Sequence, residues 1–217
     1  MSKPRVSVVI LAYNQENYIR QTLEGAVNQS TSFPYEIWVH DDASTDGTPE
    51  IIKEFQARYP HMIKPWLQTE NQYQQGVKPL TKFIYPQLTS DYVAFCEGDD
   101  YWVSPHKLSE QVAFLDQHPD YGLCAHGVKV IFEEGVPVKE NFYTVPRSGS
   151  FSFDFLDEMK NHFVSTPTLM ARRTLVQEAP KNKTQVSGDI YLMLYLLSRG
   201  KGYYFEDQWV VKRRNTG

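Results

Sequence analysis

The stretch Tyr92-Val93-Ala94-Phe95-Cys96-Glu97-Gly98-Asp99-Asp100-Tyr101-Trp102 restricts the fold of this chain more than any other. Its opening apolar run predicts a strand covered on both faces, as in the interior of an α/β sheet. Carboxylates grouped around a glycine follow at once. Acidic side chains at one strand end repel each other unless a cation lies among them, and hard oxygen ligands suit magnesium or manganese. Gly98 offers no side chain, which would let an anionic ligand approach the backbone. An acidic turn closing a strand is the plainer reading of Gly-Asp-Asp alone, so its neighbours in the chain have to decide.

Those neighbours repeat the pattern. Val6 to Ala12 is a β-branched run that predicts a first buried strand, ending at Tyr13-Asn14. Apolar positions at Ile19, Leu23, Ala26 and Val27 have helical spacing, with Asn14 placed to cap the helix. Tyr35 to Val39 predicts a second strand, which runs into Asp41-Asp42-Ala43-Ser44-Thr45-Asp46-Gly47-Thr48-Pro49. Thr48-Pro49 reads as a cap and first-turn proline for a helix that Pro60 stops. Asp46-Gly47 is explained by a turn; Asp41 and Asp42 at the strand end are not. Ligands of open α/β sheets lie at the carboxyl ends of such strands.

The remainder continues an alternation of strands and helices. Residues 61–90 are less regular, with a polar loop around Asn71 to Gly76 and a helix from Leu80 to Leu88 interrupted near Pro86. Ser104-Pro105 predicts another helix start, followed by a strand from Gly122 to Phe132 and a loop from Glu133 to Ser150. Phe153, Leu156 and Met159 suggest a short amphipathic helix, and Thr168 to Ala171 a strand. A later helix would bury Ile190, Met193, Leu194 and Leu197 and end at Gly200 or Gly202. Tyr203 to Phe205 and Trp209 to Val211 come last, before Lys212-Arg213-Arg214. The pattern places the chain in the α/β class as one domain, 1–217.

Composition narrows the functions open to such a domain. A chain of 217 residues with 41% hydrophobic and 14% aromatic residues supports a sizeable core. A formal net charge of −4 argues against general nucleic-acid binding. No apolar run reaches bilayer-spanning length, and the first residues lead into a strand rather than a signal-peptide core, so the expected location is cytoplasmic. Cys96 and Cys124 lie in apolar surroundings without metal-ligand spacing and read as buried thiols. His126, on an apolar strand, reads as a satisfied core residue.

Taken together, Tyr13-Asn14, the Asp41-Asp42-x-Ser-Thr-Asp-Gly-Thr segment and Glu97-Gly98-Asp99-Asp100-Tyr101-Trp102 resemble the family 2 glycosyltransferases of GT-A fold. Pro105-x-Lys107-Leu108-x-x-Gln111-Val112 is similar to bacterial members that build surface polysaccharide. The resemblance implies a Rossmann-like domain with a mostly parallel mixed sheet flanked by helices. Its nucleotide-binding half would run to about 103, with an acceptor-side half from about 104. By the same resemblance Ala12, Tyr13, Asn14, Glu16 and one of Asp41 or Asp42 would hold the nucleoside of a nucleotide-sugar donor, a UDP-sugar foremost. Glu97-Gly98-Asp99 stands at the family's Asp-x-Asp motif. Asp99 would bind Mg²⁺ or Mn²⁺ and Glu97 would face the ribose or sugar; Glu97 replaces the commoner aspartate.

Asp189, in Ser187-Gly188-Asp189, matches the late general base, although the helix dipole alone favours an aspartate there. Arg213 and Arg214 match a phosphate-binding tail. The implied reaction is inverting transfer of a sugar to a hydroxyl of a glycan or lipid-linked glycan, with peripheral association at the inner face of the membrane. Two other classes compete. A sugar-1-phosphate nucleotidyltransferase would carry a Gly-rich, Arg-containing loop where this chain has Ala12-Tyr13-Asn14-Gln15. A non-catalytic nucleotide-binding module would have no use for both Asp99 and Asp189.

Overall fold

The computed structural model describes residues 3–132, 143–180 and 186–214. The loop expected from Glu133 to Ser150 lies outside the described residues over 133–142, as does the polar segment 181–185. The strands are β1 (Val6–Ala12), β2 (Tyr35–Asp41), β3 (Ile63–Leu67), β4 (Tyr92–Glu97), β5 (Tyr101–Trp102), β6 (Tyr121–Phe132), β7 (Phe151–Phe153), β8 (Met170–Arg172) and β9 (Lys201–Arg214). The helices are α1 (Ile19–Val27), α2 (Thr48–Arg58), α3 (Lys107–Gln117), α4 (Phe155–Asn161), α5 (Arg173–Glu178) and α6 (Gly188–Arg199).

The strands form one mixed sheet in the order β3-β2-β1-β4-β8-β6-β9-β5, with β7 also paired to β9. β3, β2, β1 and β4 run parallel, as do β6 and β9, whereas β8 is antiparallel to both β4 and β6. Alternate residues of the central strands feed opposite faces, as the strand pleat requires. Val8 and Ile10 of β1 pack with Leu23 of α1, Ile52 and Phe55 of α2 and Leu108 and Leu115 of α3. Val9 instead joins Phe95, Phe163, Val176 of α5 and Leu196 of α6. The expected α/β architecture, with helices on both faces of a mixed sheet, is therefore present.

Several local expectations are corrected. Asn14 does not cap α1: Tyr18 holds that position, and Asn14 adopts a left-handed conformation (φ 51°) in the preceding turn. Thr48 is the first residue of α2 rather than its cap, and α3 starts at Lys107, after Ser104-Pro105. The 80–88 region divides into a π-helical turn (Leu80–Ile84) and a 3₁₀ turn (Tyr85–Gln87). Phe153 belongs to β7, and Leu156 and Met159 of α4 are 56% and 51% exposed, while Glu158 is the residue that helix buries. Of the expected buried face of α6, Met193 and Leu197 are buried, but Leu192 and Leu196 take the places expected of Ile190 and Leu194. The last two apolar runs are a single strand, β9, with register shifts opposite His126 and Gly127.

Cys96 and Cys124 are buried free thiols, as expected. His126 is buried too, but only half satisfied: Nδ1–H donates to the Gly127 carbonyl at 2.8 Å, and Nε2 has no hydrogen-bond partner. Burial lowers its pKa well below the ordinary value, so the ring is neutral.

One close approach fixes the first helix against the acid turn. A Cβ on Gly25 of α1 would lie 2.7 Å from the Trp102 carbonyl oxygen and 3.0 Å from its amide nitrogen. Glycine-to-alanine inside a helix ordinarily stabilises by up to about 1 kcal/mol. Here the clash with backbone should reverse the sign, at a cost of about 1–3 kcal/mol. Gly25→Ala is therefore expected to lower the urea midpoint, and a raised midpoint would show that β5 yields freely.

Candidate active site

Parallel pairing brings the carboxyl ends of β1, β2 and β4 side by side, with Ala12 opposite Asp41 and Leu11 opposite Glu97. β9 pairs antiparallel with β5, Trp102 against Val210, and returns its last residues to the same edge. The resulting cleft, about 500 Å³, is lined by Leu11, Ala12, Tyr13, Gln15 and Asp42 on the first strands' side. Asn71, Tyr73, Gln74 and Pro79 cover another side, and Glu97, Asp99, Lys212, Arg213 and Arg214 complete it. Aromatic and amide groups thus meet a wall of mixed charge, chemistry suited to a planar base joined to a diphosphate.

Glu97, Asp99 and Asp100 place carboxylate oxygens within 4.8 Å of one another. Lys212 resolves part of that repulsion, pairing with Glu97 and, at 3.0 Å, with Asp100. Asp100 is fully buried and also accepts the Arg213 backbone N–H at 2.8 Å. Burial pushes its carboxyl up, against the pull of Lys212. Lys212 in turn loses solvation, but Glu97 and Asp100 more than compensate and raise its pKa. Asp99 faces the cleft, its carboxyl raised by burial and then by Glu97.

The nucleoside residues expected from the sequence divide into two groups. Ala12, Tyr13, Asp42 and Glu97 line the cleft. Asp42 does so as a structural anchor, accepting the amides of Gln72 and Tyr73 at 2.9 and 3.0 Å and holding the loop that carries Tyr73 and Gln74. Asp41 is not part of the lining: its carboxylate accepts the Ser44 hydroxyl and, at 3.1 Å, the Ser44 amide. Burial raises the Asp41 carboxyl, partly countered by those bonds.

Asn14 and Glu16 lie outside the lining as well. Asn14 Oδ1 accepts the Thr45 amide at 2.8 Å, and Glu16 accepts the Gly47 amide at 2.7 Å. The two residues staple the β1 loop to the β2 loop. Gly98 also differs from expectation. The position of its absent Cβ lies 2.0 Å from Gln15 Oε1 and 3.1 Å from the Leu11 carbonyl oxygen, so glycine makes room for protein atoms rather than a ligand.

Arg213 is more committed than a free phosphate-binding tail would be. Its guanidinium donates to the Asp99 carbonyl at 2.6 Å and to Gln21, and stacks over Tyr18 and Tyr101 at 5.0 and 4.6 Å. Lys212 is the member of this cluster that sequence reasoning missed, and Asp100, seen there only as part of the acid group, proves to be its buried partner. Basic residues after an apolar run look solvated, and only the strand register places Lys212 beside Glu97.

Asp189 starts α6 but is exposed and does not line the cleft. Thr166 donates to it at 3.2 Å, and Ser187 and the Ile190 amide also donate. Partial desolvation by the surrounding protein raises its pKa, and these bonds outweigh that, leaving it below the ordinary aspartate value and ionised at neutral pH. Thr166 opens a 3₁₀ turn (Thr166–Thr168) whose Pro167 carbonyl accepts the Trp102 indole N–H at 3.2 Å. Asp189 is thereby tied to the end of the acid turn through two hydrogen bonds.

The strand-end cleft, its carboxylate trio and its basic residues thus sit together on one open mixed α/β sheet. The model of "Glycosyl transferase family 2" matches residues 7–179, and the chain belongs to that family. An uncharacterized protein of Mycobacterium tuberculosis is 43% identical over 168 residues, 77% of this chain and 47% of its own length. The chain thus spans about half the length of the first curated relatives it matches. The putative glycosyltransferase EpsE of Bacillus subtilis is 31% identical over 220 residues, covering 99% of this chain and 75% of EpsE.

Among solved structures, S. aureus TarS 1-349 in complex with UDP-GlcNAc superimposes with a TM-score of 0.73 at 22% identity, over 98% of this chain and 59% of that one. Mannosyltransferase PcManGT from Pyrobaculum calidifontis, in complex with GDP-Man and Mn²⁺, gives 0.68 at 18% identity, over 98% and 57%. At these identities the likeness is one of fold.

Beneath the acid turn, Lys107 is fully buried, donates to Gln111 Oε1 at 2.7 Å and lies 4.4 Å from the centre of the Trp102 ring. Gln111 donates onward to the Thr168 carbonyl at 2.9 Å. Among the described residues no carboxylate pairs with Lys107, and burial lowers its pKa to about 7. An unfolded lysine titrates near 10.4, so between about pH 7 and 10 the unfolded chain holds more protons than the native one and stability rises with pH. This contribution has a slope of up to about 1.4 kcal/mol per pH unit. Lys107→Met should remove it: the stability difference between variant and wild type should favour methionine most at pH 7 or below and shrink steadily toward pH 10. The unpaired Gln111 oxygen adds a cost of about 1–3 kcal/mol that does not vary with pH. Urea midpoints across that range provide the check, and a pH-independent difference would show that Lys107 stays charged.

Proposed function

We propose that this chain is the donor-binding and transfer domain of a metal-dependent inverting glycosyltransferase, moving a sugar from a nucleotide diphosphate, UDP foremost, to a hydroxyl of a surface polysaccharide or lipid-linked glycan. The observation that carries this reading is the cleft itself, where cleft-facing Asp99 shares one strand-end site with Lys212 and Arg214, against a wall bearing Tyr13 and Tyr73. The UDP-GlcNAc bound by TarS supports a uridine donor. Residues up to about 103, joined by Lys212 to Arg214 of β9, form the nucleotide side, and the other residues from about 104 supply the acceptor side and the base.

The donor set fits a hard divalent cation. Asp99 is an oxygen ligand in a cluster of carboxylates, and Mg²⁺ and Mn²⁺ are commonly held by one or two carboxylates together with substrate phosphates. When bound, such an ion offsets the charge that develops on the departing diphosphate. Tyr13 and Tyr73 offer aromatic surface to the base, and the amides held by Asp42 keep the Tyr73 loop in place. Arg214 adds positive charge at the phosphate side.

Asp189, ionised and oriented by Ser187 and Thr166, is the group assigned to accept the proton of the acceptor hydroxyl. The acceptor oxygen bonds to the anomeric carbon as the bond from that carbon to the phosphate oxygen breaks, and the proton ends on Asp189. A single displacement of this kind inverts the anomeric centre.

The two carboxylates should fail differently. Asp99→Asn is expected to abolish Mn²⁺-dependent strengthening of UDP binding, measured by calorimetry with and without EDTA. Asp189→Asn should leave UDP affinity intact and lower kcat by roughly 10²–10⁴-fold, the usual contribution of a general base. Wild-type turnover by Asp189→Asn would remove that residue from the mechanism. UDP binding to wild type that ignores Mn²⁺ would remove Asp99 as a metal ligand.

A further inference from the structure

The acid turn presents a divalent ion with far fewer ligands than its sequence suggests. Of its three clustered carboxylates, Glu97 and Asp100 are paired with the same ammonium, that of Lys212. Asp100 has both oxygens in use, one on Lys212 at 3.0 Å and the other on the Arg213 amide at 2.8 Å. Lys212 is itself only 8% exposed and is fixed by β9, whose pairing with β5 and β6 sets its position. Among the described residues Asp99 is the member of the trio with which Lys212 forms no ion pair.

We propose that Lys212 is a positioning residue that withholds Glu97 and Asp100 from metal coordination, so that the divalent ion loads together with the nucleotide diphosphate and not before it. The inference rests on reading the cleft as a nucleotide-diphosphate site, and adds a division of labour among the acids. A resident cation engages two carboxylates at once and offsets one of their two charges. Asp99 alone is too sparse a site for Mg²⁺ or Mn²⁺, and the missing oxygens come from the diphosphate. Without Lys212 the trio would be an open acidic cage able to capture free metal.

The test is a Mn²⁺ titration of the whole chain followed by electron paramagnetic resonance, with and without UDP. Wild type should bind Mn²⁺ alone weakly and at least about tenfold more tightly with UDP present. Lys212→Met should bind Mn²⁺ alone at least about tenfold more tightly than wild type, because the freed carboxylates become ligands. Lys212→Arg, which keeps the charge, should behave as wild type.

Removing Lys212 leaves Asp100 buried and unpaired, so Lys212→Met with Asp100→Asn is the second variant; it frees Glu97 without a stranded charge and should also gain affinity for Mn²⁺ alone. Folded Lys212→Met and Lys212→Met/Asp100→Asn variants that bind Mn²⁺ alone no better than wild type would overturn the proposal, as would a wild type that binds UDP yet binds Mn²⁺ equally well with and without it. Failure of UDP to bind under any condition would defeat the transferase reading separately, since the comparison with Mn²⁺ alone still reports on Lys212.

Discussion

Crowded negative charge at the end of β4 is the constraint around which the second half of the chain is arranged. Three carboxylates within 4.8 Å are tolerable only with a counter-charge, and Lys212 brings one from the far end of the sequence. That requirement explains why β9 extends through Arg214 and why its final residues are half or fully buried instead of trailing into solvent. Breaking a buried ion pair by deleting one partner typically costs about 3–5 kcal/mol, whereas the intact pair adds little net stability. The arrangement is thus better understood as holding a particular geometry than as strengthening the fold.

The two walls of the cleft are made rigid by different means. On the donor side, short loops after β1 and β2 are laced together by Asn14, Glu16, Asp41 and Ser44, and Asp42 fastens the loop bearing Tyr73. On the other side a buried network runs from Lys107 through Gln111 to Thr168, beside the Trp102 bond to Pro167. Hydrogen bonds in the low-dielectric interior are demanding about geometry. Small changes in this network therefore translate into displacement of the turn that orients Asp189.

Much of the architecture was legible because buried parallel strands announce themselves as β-branched and aromatic runs, as in Val6–Ala12 and Tyr92–Glu97. β3 was missed because Ile63–Leu67 is an edge strand containing Lys64 and Pro65, residues that the sheet edge admits and a central strand would not. Tyr13, Asp99 and the Asp41-Asp42 pair stood out at strand ends and through the family resemblance, but only the structure separates Asp42, which lines the cleft, from Asp41, which does not. The structural tasks of Asn14 and Glu16 did not stand out, because a loop-to-loop bond leaves no periodic trace. Neither did Lys212, since a lysine's partner is set by strand register across the sheet. Leu156 and Met159 misled in the opposite direction: their spacing was helical, but the helix turns Glu158 inward instead.

The pairing of Lys212 with Glu97 spans 115 residues of sequence. On the ribosome, β1 to β4 can assemble long before β9 emerges, and until then the acids at the end of β4 stand without their resident cation. Contacts of such separation form late and slow folding. During synthesis the nascent nucleotide side therefore carries an unbalanced acidic edge, and closure of β9 onto it is the step at which the domain's electrostatics become native.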